Sequence, residues 1–367
     1  MFLKGFIGLS FILVVGVLPT VSADAGGEIE SPYSYGAKGV IGHLWAHTNK
    51  LEPFKGLRPR GVEVFAHQSL YGDESWQEAF NYPDRGLKVQ LMDIPDESFG
   101  YALSTTFFLD YYIFRGSKND LSASLGTGLS YVRNPYDPEQ NPENEVIGSS
   151  LNMNMDGQIS HHFHLDNNWT FRHGIGLTHI SNGDYVLPNR GINVPNYQMG
   201  VYYQPKPSPE GFKRHDLPSE PQDRYFFMAN LSAAYNETSE DEGSFYPAYT
   251  VSLQAYRKFN NHSILVGGFD GFFNEALRYE VESNFDEESR PDFRRAGGFL
   301  GHELKTKNLS LFKHFGHYFY HPYEAPYSIY QRYGLRYYFG EHFTARFALK
   351  AHLGRADVLD VGVGLKF

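Results

Sequence analysis

From about residue 36 to the final Phe367, apolar and polar residues alternate with a period of two in one segment after another. Successive side chains of a β-strand point to opposite faces, so this pattern describes strands with one apolar side. Tyr101, Leu103, Thr105, Phe107, Leu109, Tyr111 and Ile113 face one way; Leu359, Val361, Val363, Leu365 and Phe367 oppose Val358, Asp360, Gly362, Gly364 and Lys366. Segments 36–47, 61–69 and 86–93 carry shorter or mixed stripes. No stretch combines a 3.6-residue period with helix caps. The chain reads as all-β.

Residues 1–23 have the form of a secretory signal: Lys4 gives the positive start, 6–17 the apolar core, and Val21-Ser22-Ala23 the small-residue cleavage site. No later apolar run reaches the ~18 residues that a membrane helix needs. Cysteine is absent, which removes disulfides, thiol catalysis and cysteine metal sites together. The net charge of −10 is concentrated in runs at 237–242 and 280–292, the pattern of solvated loops. No basic stripe with interleaved aromatics is present, so nucleic acid is not an expected partner. His161, His162 and His164 straddle both faces of one strand, which argues against a shared metal ion.

Twenty-seven Tyr and 30 Phe against 3 Trp, in a chain of negative mean hydropathy, fit strands that set apolar residues toward lipid, polar residues toward a lumen and aromatics at both interfaces. The last strand, ending on Phe367, resembles the C-terminal signature of bacterial outer-membrane barrels. These features predict a transmembrane antiparallel β-barrel of the bacterial outer membrane, with an even number of strands, about 12–16, as a single domain over 24–367. With the C-terminus placed in the periplasm, counting back makes 182–192, 238–245 and 276–295 extracellular loops. Segment 204–222, with five prolines, then becomes an unusually long periplasmic connection.

Residues 168–203 read as a hairpin. Trp169, Phe171, His173, Ile175, Leu177, His179 and Ser181 share one face; Asn193, Pro195, Tyr197, Met199, Val201 and Tyr203 share one face of the returning strand. Pairing residues whose numbers sum to 372 would set Asn193 opposite His179. Between the strands, 182–191 is rich in turn-forming residues. A hydroxyl is a weak nucleophile until a base takes its proton, and the base works better when a third group fixes its tautomer. Ser181, His179 and Asn193 have those chemistries at one rim of one wall, where a histidine facing lipid is costly without a use.

The stretch His179-Ile-Ser-Asn-Gly-Asp-Tyr-Val-Leu-Pro-Asn-Arg-Gly-Ile-Asn193 is similar to the signature of the lipid A 3-O-deacylases, the PagL family, in which His-x-Ser-Asn is followed by Pro-Asn-x-Gly-Ile and an acidic residue. More loosely, 61–91, with Gln68, Trp76 and Tyr82-Pro83, and the 134–142 loop resemble longer relatives. The PagL-like portion covers about 36–204, and 205–367 is an extension beyond the eight-stranded barrels of that family. The resemblance implies a serine hydrolase with no cofactor, acting in the outer leaflet on the ester-linked 3-hydroxyacyl chain of lipid A. It makes Ser181 the nucleophile, His179 the base and Asn182 an oxyanion donor, with Gly183, Asn189 and Gly191 supporting the loop. The departure is Asn193, where the family has Glu: an amide orients a histidine but brings no charge. Asp184 is the nearest alternative acid; Asn193 lies on the correct face. The competing readings are a non-catalytic barrel, either a porin-like channel or a surface-binding protein, and a phospholipase. Nothing in the sequence sets an oligomeric state.

Overall fold

The structure, a computed structural model, describes residues 31–215, 224–237, 244–323, 327–352 and 355–367. The secretory signal expected at 1–23 lies outside them. Sixteen strands follow one another: β1 (Tyr33–Gly42), β2 (Arg60–Ser69), β3 (Asp84–Ile94), β4 (Gly100–Arg115), β5 (Asn119–Val132), β6 (Leu151–His164), β7 (Trp169–Ser181), β8 (Ile192–Tyr203), β9 (Tyr225–Glu237), β10 (Phe245–Lys258), β11 (Ser263–Asn274), β12 (Arg295–Lys305), β13 (Leu309–Tyr320), β14 (Ile329–Phe339), β15 (Phe343–His352) and β16 (Arg355–Lys366). Each pairs antiparallel with its neighbours in sequence except β8 and β9, which do not pair with each other, and the weakly striped early segments form β1, β2 and β3 as full members of the sheet.

The strands close twice. β1 pairs with β8, from Tyr35↔Tyr203 to Gly42↔Asn196, and β16 pairs with β9, from Val361↔Ala233 to Lys366↔Met228. The expected single barrel over 24–367 is therefore corrected to two barrels of eight strands, β1–β8 and β9–β16. Once β8 has given its free edge to β1 it has none left for β9. The proline-rich connection begins where β8 ends, and proline cannot donate to a ladder.

On the described outer walls the large apolar residues stand exposed, among them Ile175 at 64%, Phe269 at 65% and Val363 at 64%. A wall of this kind is stable against lipid and not against water. The lumens are the reverse. In the first barrel Lys38 meets Glu63 at 2.7 Å, Lys88 meets Asp156 at 2.7 Å, and Arg172 grips Asp110 at 2.7 and 3.1 Å. In the second, Arg336 meets Glu303 at 3.1 Å and Arg332 meets Asp270 at 3.2 Å, all four side chains fully buried. Eight strands leave an interior just wide enough for side chains to fill. Among the described residues, buried ion pairs occupy both lumens.

Loops close one end of the first barrel with an apolar cluster. Leu44, Leu51, Phe54, Phe99, Val146, Ile147, Ile180, Ile192 and Val194 are all buried there. Among the described residues, a 3-10 helix (Asn49–Phe54) and two short α-helices depart from the all-strand expectation: α1 (Ser75–Ala79) and α2 (Glu275–Asn284). The second is capped by the Asn274 side chain, which accepts from the Ala276 N–H at 3.0 Å. Its polar composition hides it from a search for an apolar stripe.

Candidate active site

The closed end of the first barrel decides which side chains face outward. Ile180, Ile192 and Val194 point into the apolar cluster and are fully buried, so their neighbours His179, Ser181 and Asn193 must stand on the outer wall. β7 and β8 pair with His179 opposite Asn193 and Ile180 opposite Ile192, the register expected from a sum of 372. The His179 Nδ1–H donates to Asn193 Oδ1 at 2.7 Å, which leaves Nε2 unprotonated in the neutral ring.

Ser181 is buried beneath the 182–191 loop. Its hydroxyl donates to Asn189 Oδ1 at 3.2 Å and accepts from Asn189 Nδ2 at 3.0 Å and from the Gly183 N–H at 3.2 Å. It makes no hydrogen bond to His179, although the two share a wall two residues apart. Such pairs are often long or misaligned before substrate binds. Asn182 is engaged elsewhere: its side-chain amide donates to Val186 O at 2.6 Å and Ser149 Oγ at 3.0 Å, and its backbone N–H to Asn189 Oδ1 at 3.2 Å. Its observed place is in tying the loop, whereas the donors that meet the serine oxygen belong to Gly183 and Asn189.

Gly191 has φ +76°, and a Cβ there would stand 2.9 Å from His179 Cε1. Glycine therefore gives both the left-handed turn into β8 and the room for the imidazole ring. Asp184 is also left-handed, at φ +68°. Its carboxyl is pushed up to about 7 by burial and then by the neighbouring Asp357 carboxylate, against the pull of Arg355, Arg190 and a hydrogen bond with Asn189.

Sequence reasoning missed His47. The loop after β1 brings it beside Asn193, whose Nδ2 lies 3.3 and 3.4 Å from its ring nitrogens, while those nitrogens lie 3.0 Å from Trp45 O and from Arg190 O. The contact follows from the β1–β8 closure, since β1 flanks β8 only once the barrel shuts. One rung below His179 and Asn193, Leu177 pairs with Pro195. There a groove of 1040 Å³ opens on the outer wall, lined by Ile41, Leu125, Ile159, Ile175, Leu177 and Tyr197, with Gly157 and Gly176 on its floor. His161 and His173 lie outside this groove lining and bond to each other at 3.1 Å, whereas His162 points into the lumen to Ser122 at 2.8 Å.

Two family models match the chain, and they divide it as the barrels do. The model described as lipid A 3-O-deacylase (PagL) matches residues 60–202, and the model described as acyloxyacyl hydrolase, C-terminal domain, matches 223–367. No curated protein sequence matches the chain. Among solved structures, the outer-membrane enzyme PagL is 19% identical, covering 45% of this chain and 97% of its own, with a TM-score of 0.31. The ferric citrate transporter FecA is 9% identical over 93% of this chain and 79% of its own, at 0.29. CdiB from Acinetobacter baumannii is 10% identical over 92% of this chain and 60% of its own, at 0.20.

Proposed function

We propose that this chain, which belongs to the lipid A 3-O-deacylase (PagL) family of outer-membrane β-barrels, removes an ester-linked 3-hydroxyacyl chain from lipid A through an acyl-enzyme on Ser181. The family makes it an ester hydrolase of lipid A in the outer membrane; the steps and residue roles are our reading. The observation that carries it is the convergence at one serine oxygen: the Gly183 N–H and the Asn189 amide both meet Ser181 Oγ, on the wall that carries His179 with its Nδ1–H held by Asn193.

In this reading the Ser181 hydroxyl turns from Asn189 toward His179, whose Nε2 takes its proton as Oγ attacks the ester carbonyl. The negative charge that develops on the carbonyl oxygen is met by the Gly183 N–H and Asn189 Nδ2 that the hydroxyl has left. Collapse breaks the ester bond, His179 returns the proton to the sugar oxygen, and water then releases the acyl chain by the same route. The groove below His179 takes the acyl chain from the bilayer side, so the lipid is cut without leaving its leaflet.

The test is mass spectrometry of lipid A after incubation with the purified native protein, Ser181→Ala and His179→Ala. Loss of one 3-hydroxyacyl chain with the native protein alone supports the reading. Intact lipid A in all three, with folded barrels, overturns it. Cleavage of phospholipid in place of lipid A would keep the chemistry and change the substrate.

A further inference from the structure

The mechanism above uses only the first barrel, yet the second one grips the loop that carries it. The Leu187 N–H donates to Glu237 Oε2, at the end of β9, at 2.7 Å. The Tyr185 ring packs on Phe245, the first residue of β10, with centroids 5.3 Å apart. Gly183 (φ +74°) lies so close against β16 that a Cβ on it would stand 3.1 Å from Leu359 Cβ, and 3.5 Å from Leu349 Cδ1 on β15. These contacts alternate along the loop with the groups that meet Ser181: Gly183 supplies the N–H at 3.2 Å, and Asn189, two residues beyond Leu187, brackets the hydroxyl from both ends of its amide.

The first barrel holds the loop from its other side, through the Arg190 N–H to Val146 O at 2.8 Å, an Ile147↔Asn189 bridge and the Asn182 amide on Ser149. A polar loop with three left-handed residues, Gly183, Asp184 and Gly191, has little conformational preference of its own. Its shape is set by what holds its two sides. One of those sides is a separate barrel.

We propose that Glu237 and Leu359 are positioning residues: the second barrel fixes the 182–191 loop in the conformation that aims the Gly183 N–H and the Asn189 amide at the Ser181 oxygen. The proposal rests on the reading of Ser181 as nucleophile. It gives 205–367 a part in the reaction, where an extension serving only to anchor the protein would leave turnover untouched when either residue is changed.

The experiment uses the full-length protein with Glu237→Ala, Glu237→Gln and Leu359→Ala. Release of the 3-hydroxyacyl chain should fall in kcat by about tenfold in both alanine variants with KM within about twofold of native, since the donors act in the transition state and not on bound lipid. Glu237→Gln retains an oxygen to accept from Leu187 and should recover most of kcat. Hydrogen exchange at the Leu187 amide should quicken in Glu237→Ala and return toward native in Glu237→Gln, with heat-modifiable migration of the folded protein unchanged in all three. Native kcat together with native Leu187 exchange in Glu237→Ala would overturn the proposal. Should the native chain itself leave lipid A intact, the Ser181 reading falls, while the hold of the second barrel on the loop is still decided by the Leu187 exchange rate.

Discussion

Replacing Asn193 with Glu probes the position where this chain departs from its family. The native amide already fixes the tautomer, because its Oδ1 takes the His179 Nδ1–H at 2.7 Å while its Nδ2 is turned toward His47. The loss of about 10⁴ in kcat that accompanies a wrong tautomer therefore does not apply here. In the proposed mechanism, what the amide lacks is charge to match the imidazolium that would form as Ser181 attacks. Two unit charges 4 Å apart interact by about 4 kcal/mol at an effective dielectric of 20. Asn193 is half-exposed at the rim, and if solvent screens about half of that, ~2 kcal/mol remains, about thirtyfold in kcat. KM should not move, because the charge appears only after the proton has transferred. The assay is the initial rate of 3-hydroxyacyl release against lipid A content, with Asn193→Leu beside Asn193→Glu. A folded Asn193→Glu with native kcat, or an Asn193→Leu as active as native, would refute the reasoning.

Three further outcomes follow from the geometry. Gly191→Ala forces a side chain into a φ of +76° and against His179 Cε1, and kcat should fall by about a hundredfold as the ring is displaced; the same lipid A assay reads it. Asp184, raised to about 7, holds its proton in the docked loop well above the pH at which an exposed Asp loses it, so docking is strongest below about pH 4, weakens as pH rises from about 4 to about 7 and is flat above. Asp184→Asn should remove that slope, measured as amide protection of the loop corrected for intrinsic exchange. Arg172→Met leaves Asp110 buried without its bidentate partner and should cost about 3–5 kcal/mol in urea unfolding, most of it recovered by adding Asp110→Leu.

The hairpin was legible because two independent signals agreed: the stripes of β7 and β8 each fix a face, and only one register sets both stripes outside with the turn residues between them. The same alternation could not say where the sheet closes. It tells which way a side chain points and nothing about which edge strand its own edge meets, so 16 strands read as one barrel as easily as two. The 204–222 stretch was legible as a loop, yet its meaning as the divider between barrels appeared only with the β1–β8 pairing. Lumen charges were visible as polar positions, but Arg172 finds Asp110 from 62 residues away, a distance no local pattern spans. His47 and the grip of Glu237 on Leu187 were hidden for the same reason. In the loop itself, the Asn182 amide turns to Val186 and Ser149 while the Gly183 N–H and the Asn189 amide meet the Ser181 oxygen, since a sequence shows which residues can donate and not which way they turn.

The filled lumens carry a consequence for kinetics. With the interior occupied by buried ion pairs and His179, Asn193 and the groove on the outside wall, any reaction at Ser181 is met from the plane of the bilayer, in two dimensions. Substrate concentration is then a surface density: in mixed micelles the rate should follow the mole fraction of lipid A and be indifferent to its bulk molarity. Diluting the surface with inert detergent should slow the enzyme at constant lipid A, while diluting the whole suspension should leave each molecule's turnover unchanged.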